Sequence, residues 1–141
     1  MIQVNGQANE RTVQQFFACF GQGDIPGVVA LLTDDIEWQV AGRPEIMPWA
    51  GRRRGRDQVA LFLTILPETV EIQRFEPREW IEGRGTVIVR GHEQSRVKST
   101  DRTCTTDWVM VFTFRDGLIA NFEEYHDTAA WVAAYARPVT E

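Results

Sequence analysis

From Thr69 to His126 the chain reads almost continuously as strand, and nearly all of its helical pattern comes earlier. Thr69–Phe75, Trp80–Ile81 beyond a break at Pro77, Thr86–Gln94, Arg102–Phe114 and Leu118–His126 are rich in residues that suit a pleated surface. Gly83-Arg84-Gly85 and Arg115-Asp116-Gly117 signal hairpin turns, the second with a glycine where a positive φ is needed. Helices first and hairpin-connected strands afterwards is the order of an α+β domain, not of a βαβ sheet.

Ahead of the strands, Val13, Phe16, Phe17 and Phe20 make one apolar stripe. They predict a helix from a cap at Asn9 to about Gln22, stopped by Gly21 and Gly23. Asp24 caps a second, short helix that tolerates Pro26 in its first turn. Thr33-Asp34-Asp35 leads into a strand from Ile36 to Val40, and a loop rich in Gly, Pro and Arg runs from Ala41 to Gly55. A third helix is predicted from Arg56 to Leu66. Asp127 caps a terminal helix carrying Trp131 and Tyr135, with Pro138 beyond its end. No repeat or linker interrupts the 141 residues, which form one domain with one core.

Several functions are excluded at this point. No run approaches the ~20 apolar residues of a membrane span, and the first residues lack the pattern of a secretory signal. Cys19 and Cys104 make neither a metal spacing nor a disulfide framework, so a soluble cytoplasmic protein is expected. A net charge of −5 argues against nucleic acid as a partner. The two histidines lack a ligand-spaced companion, so no metal is expected. No glycine-rich phosphate loop follows a strand, so no cofactor is expected. Trp108–Phe114 and Val87–Val89 are apolar on both faces, whereas antiparallel hairpin strands usually wet one. The helices cover one face; a homodimer through the outer face covers the other.

Val13–Leu32, followed by Thr33-Asp34-Asp35-Ile36-Glu37-Trp38, resembles the opening of the nuclear transport factor 2-like superfamily, and Phe112–Asp127 resembles its closing hairpin. With Gly51–Phe62 the resemblance spans nearly the whole chain and is greatest to the SnoaL-like, ketosteroid isomerase-related branch. It implies a cone, in which three helices close a strongly bent antiparallel sheet around an apolar pocket. It also implies that Phe16, Val40 and Met110 occupy the positions of the tyrosine and two acids of steroid isomerases. None of the three can exchange a proton, so that mechanism is not expected. Such folds host enzymes and binding proteins alike.

Strand alternation, placed on this resemblance, points Trp108, Met110, Phe112, Phe122, Glu124 and His126 into the pocket. Phe16, Trp38 and Trp49 complete the expected substrate wall, Trp49 as part of a lid, while Trp80 and Trp131 read as core. Glu124 falls where related epoxide hydrolases place an acid, and desolvation there would raise its pKa toward the range useful for acid–base work. It reads equally as a carboxylate at a wet mouth, or as a partner of Arg90. His92 aligns with a pocket histidine of SnoaL-like cyclases, and Arg90 shares its face. Together they are candidates to shuttle a proton and orient the acid, or else a pair at the solvated sheet edge. His126 and Glu124 share one face and could share a proton or form a salt bridge. Arg52, Arg53, Arg54 and Arg56 read as a solvated loop, or as an anion clamp.

Three functions fit. The first is a cofactor-independent isomerase, cyclase or hydrolase for a small hydrophobic molecule, with Glu124, His92 and Arg90 as its catalytic groups. The second is a binding protein using the same cone without chemistry. The third is a dimeric interaction domain with a filled cone.

Overall fold

A computed structural model describes residues 3–137. In chain order the elements are α1 (Gln3–Gly21), α2 (Ile25–Val29), β1 (Leu32–Val40), β2 (Gly51–Arg54), α3 (Arg56–Thr69), β3 (Val70–Gly83), β4 (Thr86–Val97), β5 (Thr103–Arg115), β6 (Leu118–His126) and α4 (Thr128–Tyr135). The expected α+β architecture is present: one curved sheet in the order β2-β1-β6-β5-β4-β3, with helices α1 to α3 and a short C-terminal helix. The sheet is mixed, not purely antiparallel, because β1 runs parallel to β6. No hairpin ties these two strands, so their relative direction is free of the constraint that makes the other neighbours antiparallel.

Several boundaries differ from the sequence expectation for local reasons. Asn9 lies inside α1 and is buried, so it is not the cap. α3 continues through Pro67 to Thr69, whose hydroxyl donates to the carbonyls of Ile65 and Leu66. β3 also continues through its proline. It is an edge strand, so the missing N–H of Pro77 leaves no central ladder bond unmade. β2 was hidden in the arginine-rich segment, which has no apolar pattern of its own and forms a strand by pairing with β1. Asp24 and Asp127 do cap α2 and α4, accepting from the amides of Gly27 and Ala130. Pro138 lies outside the described residues.

Register shifts at Ile72/Arg74 and Pro77/Glu79 along β3–β4, and at Thr113/Phe114 along β5–β6, bend the sheet. The helices fill its concave side: α1 packs on β3 and β4, and α3 on β1, β2 and β3. The core there is largely aromatic. Trp38 stacks on Phe122 with ring centroids 4.0 Å apart, Phe16 meets Phe112 edge-on at 5.1 Å, and Phe75 stacks on Trp108 at 4.8 Å.

Gly91 makes the second bend of β3 possible. A Cβ at this position would lie 2.2 Å from the Trp108 ring and 2.5 Å from the carbonyl oxygen of Glu76. Gly91 faces Pro77 across one ladder and Trp108 across the other, so the indole lies over bare backbone. Gly91→Ala should therefore destabilise the fold by about 3 kcal/mol or more, because neither the backbone oxygen nor the buried ring can yield cheaply. Gly21→Ala, with nothing within 4 Å of the new methyl, should stay within about 0.5 kcal/mol of the parent. Urea denaturation of both variants tests this; equal midpoints would contradict it.

Candidate functional site

The face that each residue of β4 presents decides which polar groups enter the cone. Val87, Val89, Gly91, Glu93, Ser95 and Val97 are all buried and face inward. Arg90 and His92, expected in the pocket, therefore face outward. Arg90 pairs with Glu79 at 3.0 Å, and His92 Nδ1 lies 2.7 Å from Asp107, whose side chain is 83% exposed. The register with β5 sets this phase, since inward-facing Trp108 is paired with Gly91 and not with its neighbours. A one-residue change of phase exchanges the two faces of a strand. The acid on the inner face is Glu93, which the sequence reading did not single out.

At the closed end of the cone lies a small pocket. Phe16, Trp38, Trp49, Met110, Phe122 and His126 line it as expected, and so does Glu124. Trp108 and Phe112 do not: both are buried behind the wall, Trp108 against Phe75 and Phe112 against Phe16 and Phe17. Phe20, Phe62, Phe75 and Trp131 take their share of the lining. Helical spacing marked Phe20 as part of an apolar stripe, but only the crossing of α1 and α3 over the sheet brings Phe20 and Phe62 to this cavity. Trp49 is no lid. It is buried, its indole N–H donates to the Tyr135 hydroxyl at 2.9 Å, and it meets Trp131 edge-on at 4.8 Å, so it fixes the end wall.

The polar end of the pocket consists of Glu93, Glu124 and His126. Glu93 is 6% exposed and accepts from the Ser95 hydroxyl at 2.8 Å. Its carboxyl is pushed up to about 7, first by burial and then by the charge of Glu124, with Ser95 and His126 acting the other way. His126 Nε2–H donates to the Ala41 carbonyl at 2.8 Å, which leaves Nδ1 facing Glu124 Oε2 at 3.7 Å. Burial lowers the His126 pKa, but the Glu124 carboxylate, the Ala41 carbonyl and Glu93 together raise it above its ordinary value. Three titratable groups thus share a dry site in which their combined charge is constrained. The arrangement can keep one carboxyl protonated near neutral pH beside a second that can accept a proton.

Outside this pocket a wider vestibule of about 750 Å³ opens between α1, α2, the end of α3 and the start of β3. Phe20, Leu66, Ile72 and Phe75 border both spaces, so the two adjoin. The inner pocket leaves water centres only about 40 Å³, room for very few waters. None of the arginines of the 52–56 run lines either space. Arg53 donates to the Pro48 carbonyl, Arg54 pairs with Glu37, and Arg56 holds Asp34 and the Leu32 carbonyl. The run is therefore neither the expected loop nor placed as an anion clamp: Arg52–Arg54 belong to β2 and Arg56 opens α3.

The same fold recurs in solved structures. A nuclear transport factor 2-like protein from Burkholderia xenovorans LB400 is 39% identical, with a TM-score of 0.85 over 93% of this chain and 98% of its own. One of unknown function from Burkholderia pseudomallei K96243 is 29% identical, with a TM-score of 0.81 over 92% of this chain and 98% of that one. TerC, co-crystallized with polyporic acid, is 27% identical, with a TM-score of 0.80 over 91% of this chain and 98% of its own. Among curated proteins none matches this chain. The family model of the SnoaL-like domain matches residues 13–122, which run from within α1 to within β6 and make up most of the sequence. The chain belongs to the SnoaL-like family.

Proposed function

We propose that this protein is a cofactor-independent acid–base enzyme acting on a small, mostly apolar molecule. The observation that carries the proposal is the burial of Glu93, Glu124 and His126 together in an aromatic pocket that adjoins a wider vestibule. Glu124 takes a proton from substrate carbon, Glu93 in its protonated form gives one to substrate oxygen, and His126 holds Glu124 in place from behind. The two transfers balance, and their reversal, with the proton returned to a different carbon, completes an isomerisation. TerC, a structural relative, was co-crystallized with polyporic acid, a cyclic organic molecule, and this favours a cyclic ligand here. Arg90 and His92 have no part in this scheme, since both face away. The small volume of the inner pocket favours a second reading, in which the same site binds a ligand without chemistry.

We also propose a homodimer through the outer sheet face. Tyr125 is 46% exposed on β6 and Ile81 is 49% exposed on β3, with half-buried Ile88, Val109 and Val111 between them in the sheet order. Tyr125→Glu should shift the protein toward monomer in sedimentation velocity. A wild-type protein that stays monomeric at high concentration would contradict the dimer.

Proton transfer is tested with simple cyclic ketones in D₂O. The enzyme should speed exchange of the protons next to the carbonyl, and Glu124→Gln should lower that rate by roughly 10²-fold or more. Binding without faster exchange would assign the ligand-binding reading instead.

The proton inventory has its own signature in stability. Glu93 titrates near 4.5 unfolded and near 7 folded. A folded value above the unfolded one gives a contribution that is whole below the unfolded pKa and lost as pH rises through the folded one. His126, also raised, acts in the same direction. The Glu93 shift corresponds to about 3 kcal/mol, so the wild type should lose stability between about pH 5 and 8, and Glu93→Gln should remove most of that slope. Equal slopes in thermal melts would contradict the assignment.

A further inference from the structure

We infer that the site selects an uncharged ligand: a flat apolar body that occupies the vestibule, with a single hydroxyl or carbonyl group leading into the inner pocket, and that it rejects carboxylates. This rests on the pocket being the working site, as proposed above, and adds the chemical class of what enters it.

Two volumes set the shape. The inner pocket, with room for very few waters, admits a leading polar group and little more. The body of any larger molecule must lie in the vestibule of about 750 Å³, against Phe17, Phe20, Ile25, Leu63, Leu66 and Phe75. Aromatic walls of this kind favour planar surfaces.

Charge sets the class. No lysine or arginine lines the inner pocket, and its titratable groups are two carboxyls and one imidazole. The imidazole already faces the carboxylate of Glu124 and is tied to the Ala41 carbonyl, so it has no free side for an anion. A carboxylate entering here would sit beside the carboxylate of Glu124, and above about pH 7 beside that of Glu93 as well, in a water-poor space where like charges repel far more than they do in water. An uncharged oxygen meets no such penalty. It can donate to a carboxylate or accept from a protonated carboxyl. The indole N–H groups of Trp38 and Trp131, both in this wall, also stand without a partner among the described residues. The vestibule repeats the preference: Asp24 and Glu68 line it, and its one arginine, Arg74, is paired with Glu76.

The matched probes are 2-naphthol and 2-naphthoate, which share a body and differ in the charge of the leading group. Binding is read from tryptophan fluorescence at about pH 8, above the Glu93 midpoint, where both carboxyls are charged. Wild type should bind 2-naphthol at least about tenfold more tightly than 2-naphthoate. Glu93→Gln and Glu124→Gln should each narrow that ratio, and the double variant, checked for native circular dichroism, should bring it close to one. If wild type binds 2-naphthoate as tightly as 2-naphthol, or if the preference persists in both single variants, the charge selection is overturned while the pocket reading stands. If wild type binds neither probe, the pocket reading itself fails and the inference falls with it.

Discussion

The carboxyl groups of Glu93 and Glu124 stand behind aromatic rings, and the free-energy cost of charging either of them there governs the arrangement of the site. A buried carboxylate must find hydrogen bonds and opposite charge or else keep its proton. Glu93 has one hydroxyl donor, from Ser95, and remains protonated up to about 7. Glu124 has the imidazole of His126, whose other nitrogen is fixed by Ala41. The end wall of Trp49, Trp131 and Tyr135 keeps this group of side chains away from bulk water. Removing Glu124 would take away the charge that helps hold the proton on Glu93, so the groups function as a set.

The bent sheet brings these groups together. β4, β5 and β6 each contribute alternate residues to the concave face, and the bulges of β3 curl the sheet so that α1 and α3 can close over it. The bend depends on a close approach between Trp108 and the backbone at Gly91, which leaves no room for a side chain. Fold and chemistry are therefore linked through β4: the glycine that permits the curvature lies two residues from the acid that the curvature buries. Membership of the SnoaL-like family fixes the cone but not the reaction. The reaction depends on which residues face inward at its closed end.

Much of this was legible in the sequence. The order of helices and strands, both hairpin turns and the caps Asp24 and Asp127 followed from local pattern. Phe16, Trp38, Met110, Phe122, Glu124 and His126 were placed in the pocket by the family resemblance together with the alternation of β1, β5 and β6 and the apolar stripe of α1. β4 was different. Around Arg90-Gly91-His92-Glu93 both faces carry polar residues, so alternation alone could not choose between His92 and Glu93. The signal lay further away: Val87, Val89 and Val97 share the parity of Glu93, and Gly91 falls opposite Trp108. Trp108 and Phe112 were assigned to the correct face but sit behind the wall. Depth within a cone depends on how helices cross the sheet, which strand periodicity does not encode.

The account stands or falls on the state of the buried acids, which can be observed directly. Carboxyl ¹³C resonances of glutamate-labelled protein, assigned with Glu93→Gln and Glu124→Gln, would be followed across the pH range. The account predicts that the Glu93 carboxyl titrates near 7 and that its midpoint falls toward the ordinary carboxylate range when Glu124 is replaced by glutamine. A Glu93 resonance that titrates near 4.5 in the folded wild type would contradict it, and with it the claim that the cone holds a neutral acid ready beside a base.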